Sequence, residues 1–229
     1  MQANEPMQNV NRAEAEALFH TAEVLAGMGD LAGAIAQYRQ SIELCDDVAL
    51  VHHQLGVALL ESNLPGEAAP HLERATHLDP TAARFWVNMG YCSLQLGDEE
   101  AALAHYSRGI ELDSALADAW FNRANLHLNR GNAPEAVQDY RHVVAHDPGD
   151  AEAWFNLGIA LHDAGEMEES VEAYQRALSL VPDEPSVLHN LAVSLLKLGR
   201  NEEAETNLRK ALELGLEDAR QTLELLRES

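Results

Sequence analysis

Small and large apolar residues stand one helical turn apart along this chain, and they recur as a set. Ala34, Tyr38 and Ser41 are followed by Ala68, Leu72 and Ala75, then by Ala102, Tyr106 and Gly109. Ala136, Tyr140 and Val143 continue the series, followed by Ser170, Tyr174 and Ala177, and by Ala204, Leu208 and Ala211. Positions i, i+4 and i+7 share one face of an α-helix, so each set predicts a small–large–small stripe that packs inward. Ahead of each stripe the pattern predicts a partner helix with one small residue in its middle: Ala22, Gly56, Gly90, Ala124, Gly158 and Ala192. A small side chain there lets two helices approach closely. Between the two helices stands a single residue suited to left-handed backbone: Gly29, Asn63, Gly97, Gly131, Gly165 and Gly199. Glycine, or asparagine as second choice, is what such a helix end requires. Pro80, Pro148 and Pro182 then close three of the pairs, because proline cannot continue a helix.

The spacing is constant. Trp86, Trp120 and Trp154 lie 34 residues apart, and the same frame slides in both directions without a gap. It divides the chain into six units: 15–48, 49–82, 83–116, 117–150, 151–184 and 185–218. Residues 219–229, with Leu223 and Leu226 set against Arg220, Glu224 and Arg227, read as a polar-faced helix capping the array. Residues 1–14 read as a tail and a helix start. Asn11 and Glu14 suit a capping box that opens the first helix, and residues 1–10 are expected to be disordered. The second unit is the least regular, with His52 at the tryptophan position and Pro65 and Pro70 in its second helix. Pro70 costs nothing only if that helix starts at Gly66 or later, and extra mobility is expected around residues 62–72.

Taken across the units, the combination of tryptophan, leucine, small residue, alanine, tyrosine and late proline resembles the tetratricopeptide repeat. Trp154, Leu157, Gly158, Ser170, Tyr174 and Pro182 match it most fully. The resemblance covers residues 15–218 and implies an all-α fold, a right-handed α-α superhelix built from antiparallel helix pairs. It also implies a concave groove, lined by the first helix of each repeat, that binds extended peptides or single helices. Leu18, His52 and Leu188 depart from the pattern at the tryptophan phase. Arg123 stands where a large apolar residue belongs, which implies either a nearby acidic partner or a loosened repeat.

Composition narrows the partners. The formal charge is −23 with two lysines, Lys197 and Lys210, which argues against nucleic acid and anionic membranes and favours a basic or neutral protein partner. Part of the acidity sits at helix starts, as in Asp98-Glu99-Glu100 and Glu202-Glu203, where carboxylates favour the helix dipole. There is no run long enough to span a membrane and no secretory leader pattern. Cys45 and Cys92 form no disulfide framework or metal spacing, so a reduced, cytoplasmic protein is expected. No phosphate loop, dinucleotide fingerprint, metalloprotease motif or nucleophile elbow occurs, so no enzyme activity and no cofactor are expected. His142 and His146 have the spacing of a surface metal pair but no third ligand, and no metal site is assigned.

The residues following the tryptophan phase are candidates for the groove. The first row is Phe19, His53, Val87, Phe121, Phe155 and His189, and the next is His20, Gln54, Asn88, Asn122, Asn156 and Asn190. Three residues further stand Glu23, Val57, Tyr91, Asn125, Ile159 and Val193. The four consecutive asparagines form a ladder. Each amide offers two donors and an acceptor, enough to pair with both polar groups of an extended backbone. The arrangement is similar to the asparagine ladder in the tetratricopeptide region of O-linked N-acetylglucosamine transferase. At about 1 kcal/mol per hydrogen bond, such a ladder with apolar contacts supports roughly micromolar binding. The candidate site is therefore Asn88, Asn122, Asn156, Asn190, Tyr91, Phe121, Asn125, Phe155 and Arg84. The carboxylate clamp of chaperone-binding members is not expected, because Arg84 and Lys197 alone are basic near this face. These residues point to a non-enzymatic scaffold or adaptor. The alternatives are a regulatory or substrate-selecting subunit of a separate enzyme, such as a glycosyltransferase, and a homo-oligomer assembled through solenoid ends.

Overall fold

The computed structural model describes residues 5–228, with side chains described for 11–226. The described residues form thirteen helices and no strand. They are α1 (Glu5–Gly27), α2 (Leu31–Leu44), α3 (Ala49–Glu61), α4 (Pro65–Leu78), α5 (Ala83–Gln95), α6 (Glu99–Leu112) and α7 (Ala117–Asn129). There follow α8 (Ala133–His146), α9 (Ala151–Asp163), α10 (Met167–Leu180), α11 (Pro185–Lys197), α12 (Asn201–Glu213) and α13 (Asp218–Glu228). Helices α3, α5, α7, α9 and α11 start 34 residues apart. The fold class is the all-α solenoid of helix pairs that the stripe pattern predicts.

The chain forms two compact units, residues 1–119 and 120–229, divided within α7. In the first unit α1 pairs with α2, α3 with α4 and α5 with α6, while α2 packs on α3 and α4 on α5. In the second, α9 pairs with α10 and α11 with α12, α8 packs on α9, α10 on α11, and α13 closes against α12. The stripes are the cores of these pairs. Tyr38, Leu72 and Tyr106 are buried in the first unit, and Tyr140, Tyr174 and Leu208 in the second. Gly158 shows why the facing position stays small. A Cβ there would lie 2.5 Å from the Tyr174 ring.

Each pair turns in the same way. Gly29, Gly97, Gly131, Gly165 and Gly199 have φ between +73° and +82°, and Asn63 has +58°. The residue after each of them donates its N–H to a carbonyl five positions back: Asp30 to Leu25, Leu64 to Leu59, Asp98 to Ser93, Asn132 to His127, Glu166 to Leu161 and Arg200 to Leu195. That is the Schellman closure, which satisfies a carbonyl the ending helix leaves open.

Three expectations are corrected. The first helix begins at Glu5, so Asn11 and Glu14 lie inside it rather than at a capping box. Of the segment expected to be disordered, residues 5–10 are helical, and residues 1–4 lie outside the described residues. Helix α4 begins at Pro65, which leaves Pro70 beyond the free first turn and inside the helix. The carbonyl of Gly66 therefore lacks the N–H that would bond it in an uninterrupted helix.

Candidate partner-binding face

Trp86 and Trp154 hold repeats together by their indole N–H groups. Trp86 Nε1 donates to the Pro80 carbonyl at 3.0 Å, and Trp154 Nε1 to that of Pro148 at 3.1 Å. The acceptor lies six residues upstream in both cases, in the turn that ends the preceding pair. His52 substitutes for tryptophan by making the same bond: its Nε2 lies 3.1 Å from the carbonyl of Asp46, again six residues upstream. A carbonyl only accepts, so Nε2 carries the proton and Nδ1 is left to accept from Nδ1 of His71 at 3.3 Å. Burial lowers the pKa of both imidazoles, which keeps the pair neutral at neutral pH. The sequence had marked His52 only as a departure.

In the first unit the ladder phase is spent internally. The Asn88 amide donates to His53 Nε2 at 2.7 Å, and His53 Nδ1 donates to Gln54 Oε1 at 3.1 Å. The Gln54 amide donates to the Glu23 carboxylate at 3.1 Å, and the Tyr38 hydroxyl donates to the same carboxylate. Every member has one role, which fixes the His53 tautomer and ties α5 to α3 and α3 to α1. His53 stacks on Phe85 with centroids 4.4 Å apart. Burial, with the Arg84 charge adding to it, pushes its imidazole pKa down to about 4. On the same face of α5, Arg84 forms an exposed pair with Asp118 at 3.1 Å, and Tyr91 is 41 % exposed. Val87 and His53, expected to turn toward a groove, are buried.

In the second unit the ladder is open. Asn122, Asn156 and Asn190 are half-buried, and none of the three amides has a hydrogen bond within the protein. Asn125 is the exception in the next row, its side-chain oxygen accepting the Tyr140 hydroxyl. Phe121 meets Tyr140 edge-on at 5.8 Å between centroids, and Phe155 meets Tyr174 at 6.0 Å. Both phenylalanines thus give part of their surface to the core and keep the remainder half-exposed beside the open amides. Glu152 and Asp163 lie four residues before and seven after Asn156, on the same helical face, and both are exposed. His189 bonds Thr222 of α13 at 3.1 Å.

Arg123 is paired, as one of the two sequence readings required. Its guanidinium makes two 2.8 Å bonds to the Asp139 carboxylate and lies 5.0 Å from the Trp120 ring. Trp120 also stacks on His142, with ring centroids 4.0 Å apart. His142 and His146 are exposed, and among the described residues no cluster of three potential metal ligands occurs. No helix among them is long and apolar enough to cross a membrane.

Comparison with known proteins agrees with the geometry. Family models described as tetratricopeptide repeat match residues 53–117 and 121–185, with further models of the same description at 173–206 and 16–46. No curated protein sequence matches the chain. Among solved structures it is similar to MamA 41-end from Desulfovibrio magneticus RS-1, with 23 % identity, 72 % of this chain and 94 % of that one covered, and a TM-score of 0.67. It is also similar to YrrB, described as a TPR protein with an unusual peptide-binding site, at 24 % identity, 82 % and 97 % coverage and a TM-score of 0.67. The C-terminal part of a TPR repeat-containing protein from Cytophaga hutchinsonii gives 17 % identity, 86 % and 78 % coverage and a TM-score of 0.75. With repeat models covering well over half of its length, the chain belongs to the tetratricopeptide repeat family.

Proposed function

We propose that this chain is a non-enzymatic interaction module that holds an extended peptide segment of another protein through Asn122, Asn156 and Asn190. The observation that carries this reading is the contrast between the units. Asn88 has its amide committed to His53, whereas the three asparagines of the second unit have no internal partner. Half-buried amides without partners forgo bonds worth about 1 kcal/mol each, and an extended backbone supplies both the donor and the acceptor they lack. Three bidentate amides contribute about 6 kcal/mol on that scale, and partial cover of Phe121 and Phe155 brings the total near that of a micromolar complex. The carboxylates of Glu152 and Asp163 beside the ladder favour a basic or neutral segment over an acidic one. The description of the similar protein YrrB as having a peptide-binding site supports the same class of ligand.

The test is a random peptide library displayed on phage and panned on the intact chain, with affinities of the recovered peptides measured on variants. Each of Asn122→Ala, Asn156→Ala and Asn190→Ala should weaken binding roughly tenfold to thirtyfold, the equivalent of one or two hydrogen bonds. Asn88→Ala should change it less than threefold, a bound set by its prior engagement. Equal losses at all four positions would remove the distinction between the units.

A further inference from the structure

Tyrosine hydroxyls of the second helices mark a feature that the ladder does not absorb. The Tyr38 hydroxyl donates to Glu23 and the Tyr140 hydroxyl donates to Asn125. Glu23, Tyr91 and Asn125 occupy one repeat phase, as do Tyr38, Tyr106 and Tyr140. Tyr174, the fourth tyrosine of the phase, has Ile159 at the acceptor position, and Tyr106 is the member whose buried hydroxyl is left without an acceptor. It is fully buried, and its hydroxyl has no hydrogen-bond partner. Where Glu23 and Asn125 bring an oxygen, α5 brings the phenol of Tyr91, which stands 41 % exposed. Burial raises the pKa of the Tyr106 hydroxyl, and the nearby Tyr91 raises it further, so the group is a neutral donor at every ordinary pH.

We infer that Tyr91 and Tyr106 form a side-chain subsite of the first unit, in which the Tyr106 hydroxyl donates to a carboxamide oxygen, from Asn or Gln, on a bound peptide segment. This rests on the peptide-holding reading above. A change of the Tyr91 rotamer uncovers the hydroxyl, and the incoming oxygen then fills the place that Glu23 and Asn125 fill for their own tyrosines. A carboxamide fits better than a carboxylate. Arg84, the cation two turns away on the same face, is already paired with Asp118, and an uncompensated anion against a buried hydroxyl carries a far larger desolvation cost than an amide.

The test uses the phage-selected peptides on the full chain. Wild type should select Asn or Gln at one peptide position, and replacing that residue by Leu should cost about tenfold in affinity. On Tyr106→Phe the same replacement should cost less than twofold. Tyr91→Asn, which gives Tyr106 the internal acceptor that Tyr140 has, should abolish the preference as well. Selected peptides that bind without any coupling to Tyr106 would overturn the subsite and leave the ladder reading standing. Selection of Asp or Glu at the coupled position would overturn the choice of a neutral acceptor. Failure to recover any peptide would overturn both readings. Circular dichroism of each variant confirms that the fold is unchanged.

Discussion

Three tyrosines in equivalent positions make one chemical change into three different experiments. Replacing Tyr140 by Phe removes a hydrogen bond to a neutral amide, and half-exposed Asn125 then turns to water, so the cost is about 1 kcal/mol. Replacing Tyr38 by Phe removes a bond to the Glu23 carboxylate, for which about 1.5–3 kcal/mol is expected. Replacing Tyr106 by Phe removes a hydroxyl that is buried and unpartnered. The wild-type fold already bears the desolvation cost of that group, so its removal returns about 1–3 kcal/mol. The expected order of stability is Tyr106→Phe above wild type, then Tyr140→Phe, then Tyr38→Phe. Urea unfolding reads it directly, because with a slope of about 2 kcal/mol per molar each kilocalorie moves the midpoint by about 0.5 M. A repeat array need not unfold in one step, so amide exchange in α2, α6 and α8 should be followed beside the midpoints. If Tyr106→Phe lowers the midpoint as far as Tyr140→Phe does, the Tyr106 hydroxyl has a partner in solution and the reasoning fails.

Other outcomes follow from single contacts. Arg123→Leu leaves the buried Asp139 carboxylate uncompensated and should cost about 3–5 kcal/mol. The pair Arg123→Leu with Asp139→Ala copies Leu157 and Ala173 of the next repeat, and its melting should return to within a few degrees of wild type. Because folding depresses the His53 pKa to about 4, the unfolded chain binds the proton first, and stability is lost as pH falls from about 6.5 toward 4. Between pH 7.5 and 5.5 the His53 contribution is about 1 kcal/mol, and the lowered values of His52 and His71 act in the same direction. His53→Asn should flatten the dependence of the urea midpoint over that interval, and an equally steep variant would refute the assignment. Asn63→Ala should cost about 1–2 kcal/mol at φ +58°, while Asn63→Gly should be neutral or slightly stabilising in the same assay.

The repeat architecture was legible because its signals are local and repeated. A left-handed residue ends the first helix of each pair and a small–large–small stripe follows it, so each unit corroborates the others. The ends were less legible, since a terminal unit has one neighbour and no second copy to check against. Asn11 and Glu14 had the right spacing for a cap, yet nothing between Glu5 and Asn11 stops a helix. The ladder was legible as a row of identical residues, but not its division into a spent part and an open part. That division is decided by residues about one period away. His53 lies 35 residues before Asn88, and only its tautomer, set by Gln54, makes it an acceptor. His52 was obscured for a similar reason, since its likeness to tryptophan lies in one N–H and not in ring size.

The bond from Trp86, Trp154 or His52 to a carbonyl six residues upstream sets rules for cutting this molecule. Helices α3, α5 and α9 are each fastened to the turn that ends the helix pair before it, so the natural module for truncation begins at one of these carbonyls. A fragment whose first residue follows Pro80 or Pro148 strands an indole donor at its new end. One that begins before Asp46, Pro80 or Pro148 carries the fastener along with the helix it holds. Shortened or lengthened versions of this protein should therefore be spliced in whole 34-residue steps with the seam ahead of those carbonyls.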